Sequence, residues 1–353
     1  MEKRIVNQFR RFISEHRDNL LTWLKSDSRH KDIHLGDASM EEMTQVVSQH
    51  EEALNLIDCD EFGKCKECGG EVEPERLELD FTTCVCLDHY SEDQLRVLER
   101  DLELAAKVQR QLLPYQIPTL PGVQIAAHTE PAQVVGGDYF DFFPYPDGAQ
   151  GAAIADVMGK GLSASMLMSN LQASLRILGP EYTNLDALAG RLNQLFRNNL
   201  KLISFISVFL LRIDVEAGMI QYCNAGHNPA IWYKASSRTI HLLKPTGPAI
   251  GLTRSAQYKS QELRYGPGDL LLLYTDGLVE ARNPGDEEFG KERVAAYVKE
   301  HLHLPVNLFL TRLRETAKGF AGKFDDDVTV MVIKIQQSGI VGTKGTKGVR
   351  QEI

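Results

Sequence analysis

The chain has 353 residues, of which 43% are hydrophobic and 25% are charged. This composition is ordinary for a folded protein and excludes a wholly disordered or fibrous chain; at roughly 150 residues per domain, the length predicts two domains. The formal net charge of -9, from 48 acidic and 39 basic residues, argues against nonspecific binding of nucleic acid through charge alone.

The N-terminal sequence MEKRIVNQFRRF is charged throughout and lacks the apolar run of a signal peptide. No apolar run in the chain approaches the roughly 20 residues that a membrane helix needs. We therefore expect a soluble, cytoplasmic protein that has neither a membrane nor a nucleic acid as its partner.

Two helices are predicted near the N-terminus. Apolar side chains in residues 3–25 mostly follow the three-and-four spacing of an amphipathic helix, and residues 40–58 follow it again after a polar loop. Because two short helices bury little surface by themselves, residues 1–90 need a partner or a staple to fold.

A cluster of cysteines supplies such a staple. Five of the six cysteines fall within 28 residues, at Cys59, Cys65, Cys68, Cys84 and Cys86. In a cytoplasmic chain this clustering favours a metal site over a disulfide framework; a set of reduced, unliganded cysteines is the alternative.

Two sets of zinc ligands are open. The first pair, Cys65-x2-Cys68, can combine with Cys84-x-Cys86 or, after 17 residues, with Cys86-x2-His89. Two-residue gaps let each half wrap a tetrahedral zinc ion, whereas a one-residue gap is a poorer chelate loop. We favour Cys65, Cys68, Cys86 and His89, with Cys84 in reserve, and four protein ligands indicate a structural Zn²⁺.

Residues 40–90 resemble the zinc-finger region of DksA/TraR-type proteins, which act on bacterial RNA polymerase. There a helix leads into Cys-x2-Cys, then an Arg-Leu-Glu, then a second Cys-x2-Cys; here Arg76-Leu77-Glu78 stands in place, and His89 replaces the usual last cysteine. The polymerase function is not carried over, because it needs a long coiled coil with an acidic tip, which cannot be assigned in this sequence.

Residues 91–113 predict a linker helix that starts at Ser91 and is stopped by Pro114 and Pro118. Its inward positions, read as heptads, are Leu95, Leu98, Leu102, Ala105, Gln109 and Leu112. Three layers are the minimum for a coiled coil that would pair two protomers, with Gln109 as a polar a position. An ordinary amphipathic helix lying on the next domain is the alternative.

From residue 123 to residue 335 short β-rich runs alternate with helical stretches. The runs are VQIAAH, GAAIADV, FISVFLLRID, MIQYCNAG, AIWYK, DLLLLYTDG and DVTVMVIKI. Helices are predicted at 163–178, 185–200, 291–301 and 306–320. Together they predict an α+β layered domain over 114–335, followed by a Gly/Lys/Thr-rich tail, 336–353, that we expect to be disordered.

Four aspartate motifs stand beside predicted strand ends. They are GGD around Asp138, DVMGKG from Asp156, TDG around Asp276, and the DDD of residues 325–327. Carboxylates that converge in one cleft repel one another unless cations lie between them, and hard oxygen ligands select Mg²⁺ or Mn²⁺. Two such ions roughly 3.5–4 Å apart are suited to hydrolysing phosphate esters.

Residues 101–335 strongly resemble the bacterial PPM-type serine phosphatases of the SpoIIE/RsbU group. The motifs that carry the resemblance are LELAAKVQRQLLP, VVGGDYFDFF, IADVMGKG, YCNAGHNP, PTGPAIGL, GDLLLLYTDGLVEARN, EFG and DDDVTVMVIKI. The resemblance implies a sandwich of two antiparallel sheets flanked by helices, with a metal cleft at one edge. It also implies phosphoserine or phosphothreonine protein substrates, commonly anti-anti-sigma factors of the STAS type.

Carried over by position, the resemblance makes four aspartates ligands of two Mn²⁺ or Mg²⁺ ions: Asp138, Asp156, Asp276 and Asp326. The carbonyl of Val157 adds a backbone ligand, and Asp327 is the alternative to Asp326, because three consecutive aspartates leave the register open by one. In NAGHNP, Asn224 and His227 are candidates for substrate contact, with a structural turn histidine as the other interpretation.

These features predict a metal-dependent protein phosphatase regulated through its N-terminal zinc module. Residues 1–90 would sense or dock, and the 91–113 helix would transmit their state and pair two protomers. The competing prediction is a nonenzymatic transcription regulator, whose finger binds RNA polymerase or another partner while the phosphatase fold serves as a scaffold.

Overall fold

The computed structural model describes residues 40–79, 81–159, 161–199, 205–253 and 256–336, together with parts of 5–21. Much of the helix predicted over 3–25 lies outside the described residues, as does the predicted tail beyond Gln336. The chain divides into two compact units, Met1–Arg100 with Lys201–Ile203, and Asp101–Leu200 with Ser204–Ile353.

In the first unit, α1 (Met40–Asp58) and the short α2 (Pro74–Leu79) precede a 3₁₀ turn at Leu87–His89. A small core joins apolar residues to two of the clustered cysteines: Phe9, Ile13, Ala53, Ile57, Phe62, Cys65, Val72, Leu77 and Cys86 are all buried. The helix predicted over 91–113 is α3 (Glu92–Leu112), which continues from the first unit into the second.

The second unit is built on two antiparallel sheets of five strands each. In one sheet the order is β1 (Val123–Glu130), β10 (Val328–Ile335), β9 (Leu270–Tyr274), β6 (Ala230–Lys234) and β7 (Thr239–Leu243). In the other it is β2 (Tyr139–Pro144), β3 (Gln150–Val157), β4 (Ile206–Asp214), β5 (Met219–Ala225) and β8 (Gln261–Arg264).

Apolar side chains from both sheets form the central core, which includes Phe140, Ile154, Phe209, Leu271 and Met331. Helices α4 (Gly161–Leu178) and α5 (Leu185–Asn199) bury their apolar faces on the β2–β3–β4 side. The short α6 (Asp276–Val279), with α7 (Gly290–His301) and α8 (Val306–Ala321), covers the β9–β10 side. The predicted helix-flanked sandwich is confirmed.

Three strands were not predicted as such. The strand β2 was treated only as part of an aspartate motif, although its sequence YFDFFP is aromatic. The strands β7 and β8 lie at sheet edges and are largely exposed, so their sequences TIHLL and QELR lack the long apolar run of a buried strand. None of the described helices is long and apolar enough to cross a membrane.

Candidate metal centre

The sandwich brings the four predicted aspartates to one edge. Asp138 directly precedes β2, and Asp156 lies near the end of β3; these strands are antiparallel neighbours, with Tyr139 opposite Ala155. In the other sheet Asp276 follows β9 and Asp326 precedes β10, with Val330 opposite Tyr274. Antiparallel pairing thus places the start of one strand beside the end of the next, which sequence separation alone does not reveal.

Asp138 is the most enclosed of these carboxylates. Its side chain is buried, and burial, followed by the charges of Asp156 and Asp327, raises its pKa well above the ordinary value. The hydroxyl of Thr275 donates a 2.7 Å hydrogen bond to Asp138 Oδ2, and the N–H of Thr329 donates to the Thr275 oxygen at 2.9 Å. Sequence reasoning missed Thr275, whose only signal is a hydroxyl beside Asp276 in the TDG motif.

Asp156 stands where the carboxylates from both sheets meet. Burial raises its pKa to about 7, with further contributions from the charges of Asp276, Asp326 and Asp327. Because electrostatic interaction weakens with distance, charges that shift the pKa of Asp156 must come from carboxylates that lie close to it. Distant parts of the sequence therefore share one acidic site.

Asp327 holds the loop that carries Asp138. Its Oδ1 accepts a hydrogen bond from Ala132 N (2.8 Å), and its Oδ2 accepts one from Gly137 N (2.7 Å). A Cβ placed on Gly136 would lie 2.3 Å from Asp327 Oδ2, so the loop can approach this closely only with glycine.

Asp326 differs from its neighbour. Its Oδ1 accepts the N–H of Asp327 at 2.9 Å, and among the charges that raise the pKa of Asp156 it ranks ahead of Asp327. Both oxygens of Asp327 are engaged by backbone N–H groups of the preceding loop. The hydrogen bonding thus favours Asp326 as the ligand and Asp327 as the residue that positions the loop.

The backbone at Val157 also faces this region. A Cβ placed on Gly137 would lie 2.9 Å from the Val157 carbonyl oxygen, so that oxygen borders the Asp138 loop.

A further acidic group near the site is Glu280. It lies four residues after Asp276 and directly follows the last residue of α6. Its pKa is raised by burial and by the charge of Asp276, and its own charge raises the pKa of Asp156.

The chemistry of this donor set fits divalent cations. Buried carboxylates are unfavourable as anions, and here the neighbouring groups that raise their pKa are other carboxylates. Mg²⁺ and Mn²⁺ prefer such oxygen donors and would offset the accumulated negative charge.

Asn224 and His227 are both buried. Asn224 Oδ1 accepts the His227 N–H at 2.7 Å, and His227 Nδ1 lies 2.7 Å from Ser207 Oγ, on the strand that pairs with Asp156. Burial lowers the pKa of His227 to about 4, so the ring is neutral at pH 7. With 0% and 3% of their surface exposed, both residues fit a structural turn better than substrate contact.

The first unit contains a second set of possible metal donors. Ligand atoms of Cys65, Cys68, Cys86 and His89 all lie within 4.8 Å of one another, and Cys84 is outside this group. The Cys68 and Cys86 sulfurs are 3.8 Å apart. A tetrahedron with Zn–S bonds of about 2.3 Å has edges of about 3.8 Å, so the geometry fits Zn²⁺.

Comparisons with known proteins concern mainly the second unit. Residues 146–336 match the sequence model of the family described as stage II sporulation protein E (SpoIIE). Phosphoserine phosphatase RsbU of Bacillus subtilis is 29% identical over 212 residues, which are 58% of this chain and 63% of that protein. Phosphoserine phosphatase RsbP of the same organism is 33% identical over 187 residues, 52% of this chain and 46% of that one.

A solved structure shows the same fold. The SiaA-PP2C domain of Pseudomonas aeruginosa superposes with a TM-score of 0.59 at 20% identity, over 68% of this chain and 98% of that domain. The chain spans less than two thirds of the length of the curated relatives it matches. The family match begins at residue 146 and does not include the cysteine cluster.

Proposed function

The chain belongs to the SpoIIE family, and from this premise we propose that residues 114–335 are a metal-dependent protein serine/threonine phosphatase. The observation that carries the proposal is the meeting of Asp138, Asp156, Asp276 and Asp326 at one edge of the sandwich. The fold it shares with a PP2C domain supports the same conclusion.

Two Mn²⁺ or Mg²⁺ ions would be held by these four aspartates and the Val157 carbonyl. When bound, such ions supply a water molecule of lowered pKa and offset negative charge on the phosphoryl group. The protein's own contribution is positional: Thr275 orients the Asp138 carboxylate, and Asp327 fixes the loop in front of it. A ligand set held before the cation arrives loses little entropy on binding it.

The substrate that we propose is a protein carrying phosphoserine or phosphothreonine, specifically an anti-anti-sigma factor of the STAS type. The relatives RsbU and RsbP, both named phosphoserine phosphatases, support the phosphoserine part of this proposal. A pull-down with the Asp156→Asn variant, followed by phosphosite mapping, tests it, and recovery of phosphorylated small molecules alone would contradict it.

We propose that residues 1–90 form a DksA/TraR-like module that is stabilised by one structural Zn²⁺ and that regulates the phosphatase. The compact donor group and the buried position of Cys65 and Cys86 support the zinc. Thiolate ligands persist in a reducing compartment, which supports a cytoplasmic location.

A homodimer through residues 91–113 is part of the same proposal. Val97, Leu104 and Val108 of α3 are at least half exposed in the single chain and support such pairing. They lie outside the predicted heptad positions, most of which are partly buried in the single chain, so the surface that we propose is not the predicted heptad seam. Sedimentation velocity over a range of concentrations tests this pairing, and a chain that stays monomeric throughout would contradict it.

The decisive experiment on the activity measures Mn²⁺-dependent hydrolysis of p-nitrophenyl phosphate and of a phosphorylated STAS protein. We expect Asp156→Asn and Asp276→Asn each to lose activity by roughly a hundredfold or more, because each removes a charged ligand. Asp286→Asn, in an exposed turn away from both α3 and the four aspartates, is the matched control and should keep full activity. A wild-type chain that is no more active than both variants, with either substrate, would refute the proposal.

A further inference from the structure

Gln109, in the last turn of α3, contacts the backbone of the GGD motif at two points. Its Nε2 donates to the Gly136 carbonyl oxygen at 2.5 Å, and its Oε1 accepts the Gly136 N–H at 3.1 Å. The side-chain amide therefore pairs with both backbone groups of one residue, as a residue of a neighbouring antiparallel strand would. The heptad pattern assigned Gln109 to a polar a position, whereas here its amide is turned to the phosphatase fold.

The loop that receives this contact is held from two sides. Gln109 binds Gly136, and Asp327 binds Gly137 and Ala132. The next residue in the chain is Asp138, a proposed metal ligand. Any movement of Gly136 is passed to Asp138 through one intervening residue, Gly137, whose space is limited by the Val157 carbonyl.

The end of α3 is also fixed to the second unit by other contacts. Leu113, directly after the helix, packs against both the central core and the core beneath α4. Gln172 of α4 lies 3.5 Å from the Leu112 carbonyl oxygen through its Nε2. The position of the last helical turn is thus well determined, and Gln109 is the side chain that links it to the GGD backbone.

Glutamine is suited to this role because its amide carries a donor, Nε2, and an acceptor, Oε1, on the same carbon atom. Glutamate of the same length keeps only acceptors at neutral pH, and leucine of similar size has neither. Substitution therefore leaves a Gly136 backbone group without its partner, and leaving a part-buried backbone group unpaired destabilises the folded loop.

We propose that Gln109 is a positioning residue for the metal centre, which sets the place of Asp138 through Gly136. The affinity for cations then depends on where the final turn of α3 lies. This inference rests on the proposed metal site but does not require that the phosphate substrate be correctly identified.

The test uses the full chain and Mn²⁺ alone as the probe. Calorimetric titration gives the dissociation constant of Mn²⁺ for wild type, Gln109→Leu, Gln109→Glu and Gln111→Leu. We expect both Gln109 variants to bind Mn²⁺ roughly tenfold more weakly, since two neutral hydrogen bonds contribute on that order. Gln111 is exposed on the same helical turn, so its variant should bind like wild type.

Two further readouts separate positioning from general damage. Hydrogen exchange should become faster in the peptide covering 131–138 in both Gln109 variants. With p-nitrophenyl phosphate, the Mn²⁺ concentration for half-maximal activity should rise while the rate at saturating Mn²⁺ stays near that of wild type. Gln109→Glu keeps the test informative if Gln109→Leu folds poorly. It should bind Mn²⁺ more weakly than wild type, although its added negative charge by itself would attract the cation.

Unchanged Mn²⁺ affinity in a folded Gln109 variant overturns the inference, and so does an equal loss in Gln111→Leu. The two proposals fail separately: a wild-type chain that binds Mn²⁺ but hydrolyses no phosphate ester removes the phosphatase. Weaker Mn²⁺ binding by the Gln109 variants would still support positioning in that case.

Discussion

Consecutive aspartates perform different tasks at the start of β10. Asp325 is exposed and pairs with Lys323 at 3.4 Å. Asp326 adds its charge to the field at Asp156, and Asp327 accepts two backbone N–H groups from the loop before Asp138. The sequence DDD could not settle this register, because identical residues differ only in where the chain turns their side chains.

This division of labour predicts different phenotypes for the two neighbours. Asp326→Asn should lower activity by roughly a hundredfold, because it removes a charged ligand, and should change stability little. Asp327→Asn keeps one acceptor oxygen but loses the other, so we expect a loss of about 1–2 kcal/mol in unfolding free energy. Urea denaturation and the Mn²⁺ dependence of activity measure the two effects.

The activity of Asp327→Asn should recover substantially at high Mn²⁺ concentration, since the proposed ligands themselves are intact. Asp325→Asn is the control within the same motif and should match wild type in both measurements. The assignment would be reversed if Asp327→Asn were the variant that high Mn²⁺ cannot restore.

At the scale of elements, apolar runs predicted the buried strands well and the edge strands poorly. The runs AIWYK and DVTVMVIKI coincide with β6 and β10 to within a residue, because both are central strands packed on two sides. The edge strand β8 has the sequence QELR, and its place in the sheet comes from pairing with β5 rather than from its own hydrophobicity.

The metal centre was predictable as a set of motifs but not as an arrangement. The four aspartates could be named from the sequence, whereas the roles of Thr275 and Gln109 depend on contacts between segments far apart in the chain. A side-chain hydroxyl or amide carries no local pattern that announces its partner. Hydrogen bonds of this kind become visible only once the strand register is known.

The 3₁₀ turn at Leu87–His89 directly follows Cys86 and contains His89, and both residues belong to the group of zinc donors. This arrangement predicts the zinc content of the chain and of its variants. We expect the purified full chain to contain about one zinc per chain, and Cys86→Ser and His89→Gln to contain far less, because each removes one of four ligands. Elemental analysis of reduced protein measures this directly.

Cys84→Ser is the matched control, since Cys84 neighbours the site but lies outside the donor group. It should retain its zinc. Loss of zinc from Cys84→Ser together with retention by His89→Gln would assign the site to the alternative ligand set, and zinc-free wild-type protein would remove the site altogether.

The acidic centre affects the stability of the whole folded chain, because its buried carboxylates disfavour folding when no cation is bound. The pKa of Asp156 is raised to about 7, chiefly by burial, from an ordinary value of 3.8. The folded chain therefore keeps a proton that the unfolded chain releases as pH rises from about 4 to 7, so the metal-free fold loses stability across that range. Each pKa unit is worth about 1.4 kcal/mol, which makes the total a few kcal/mol at most.

Mn²⁺ should reverse this loss, because it takes the place of the proton among the carboxylates. We expect Mn²⁺ to raise the melting temperature of the phosphatase unit by several degrees more at pH 8 than at pH 5.5, since about 1 kcal/mol shifts the midpoint of a domain this size by about 2–4 °C. Differential scanning calorimetry of the full chain, with and without Mn²⁺ at both pH values, measures the difference. In Asp156→Asn both the pH dependence of the metal-free chain and the Mn²⁺ shift should shrink; a Mn²⁺ shift that is equal at the two pH values would show that the acidic centre and the cation are not linked.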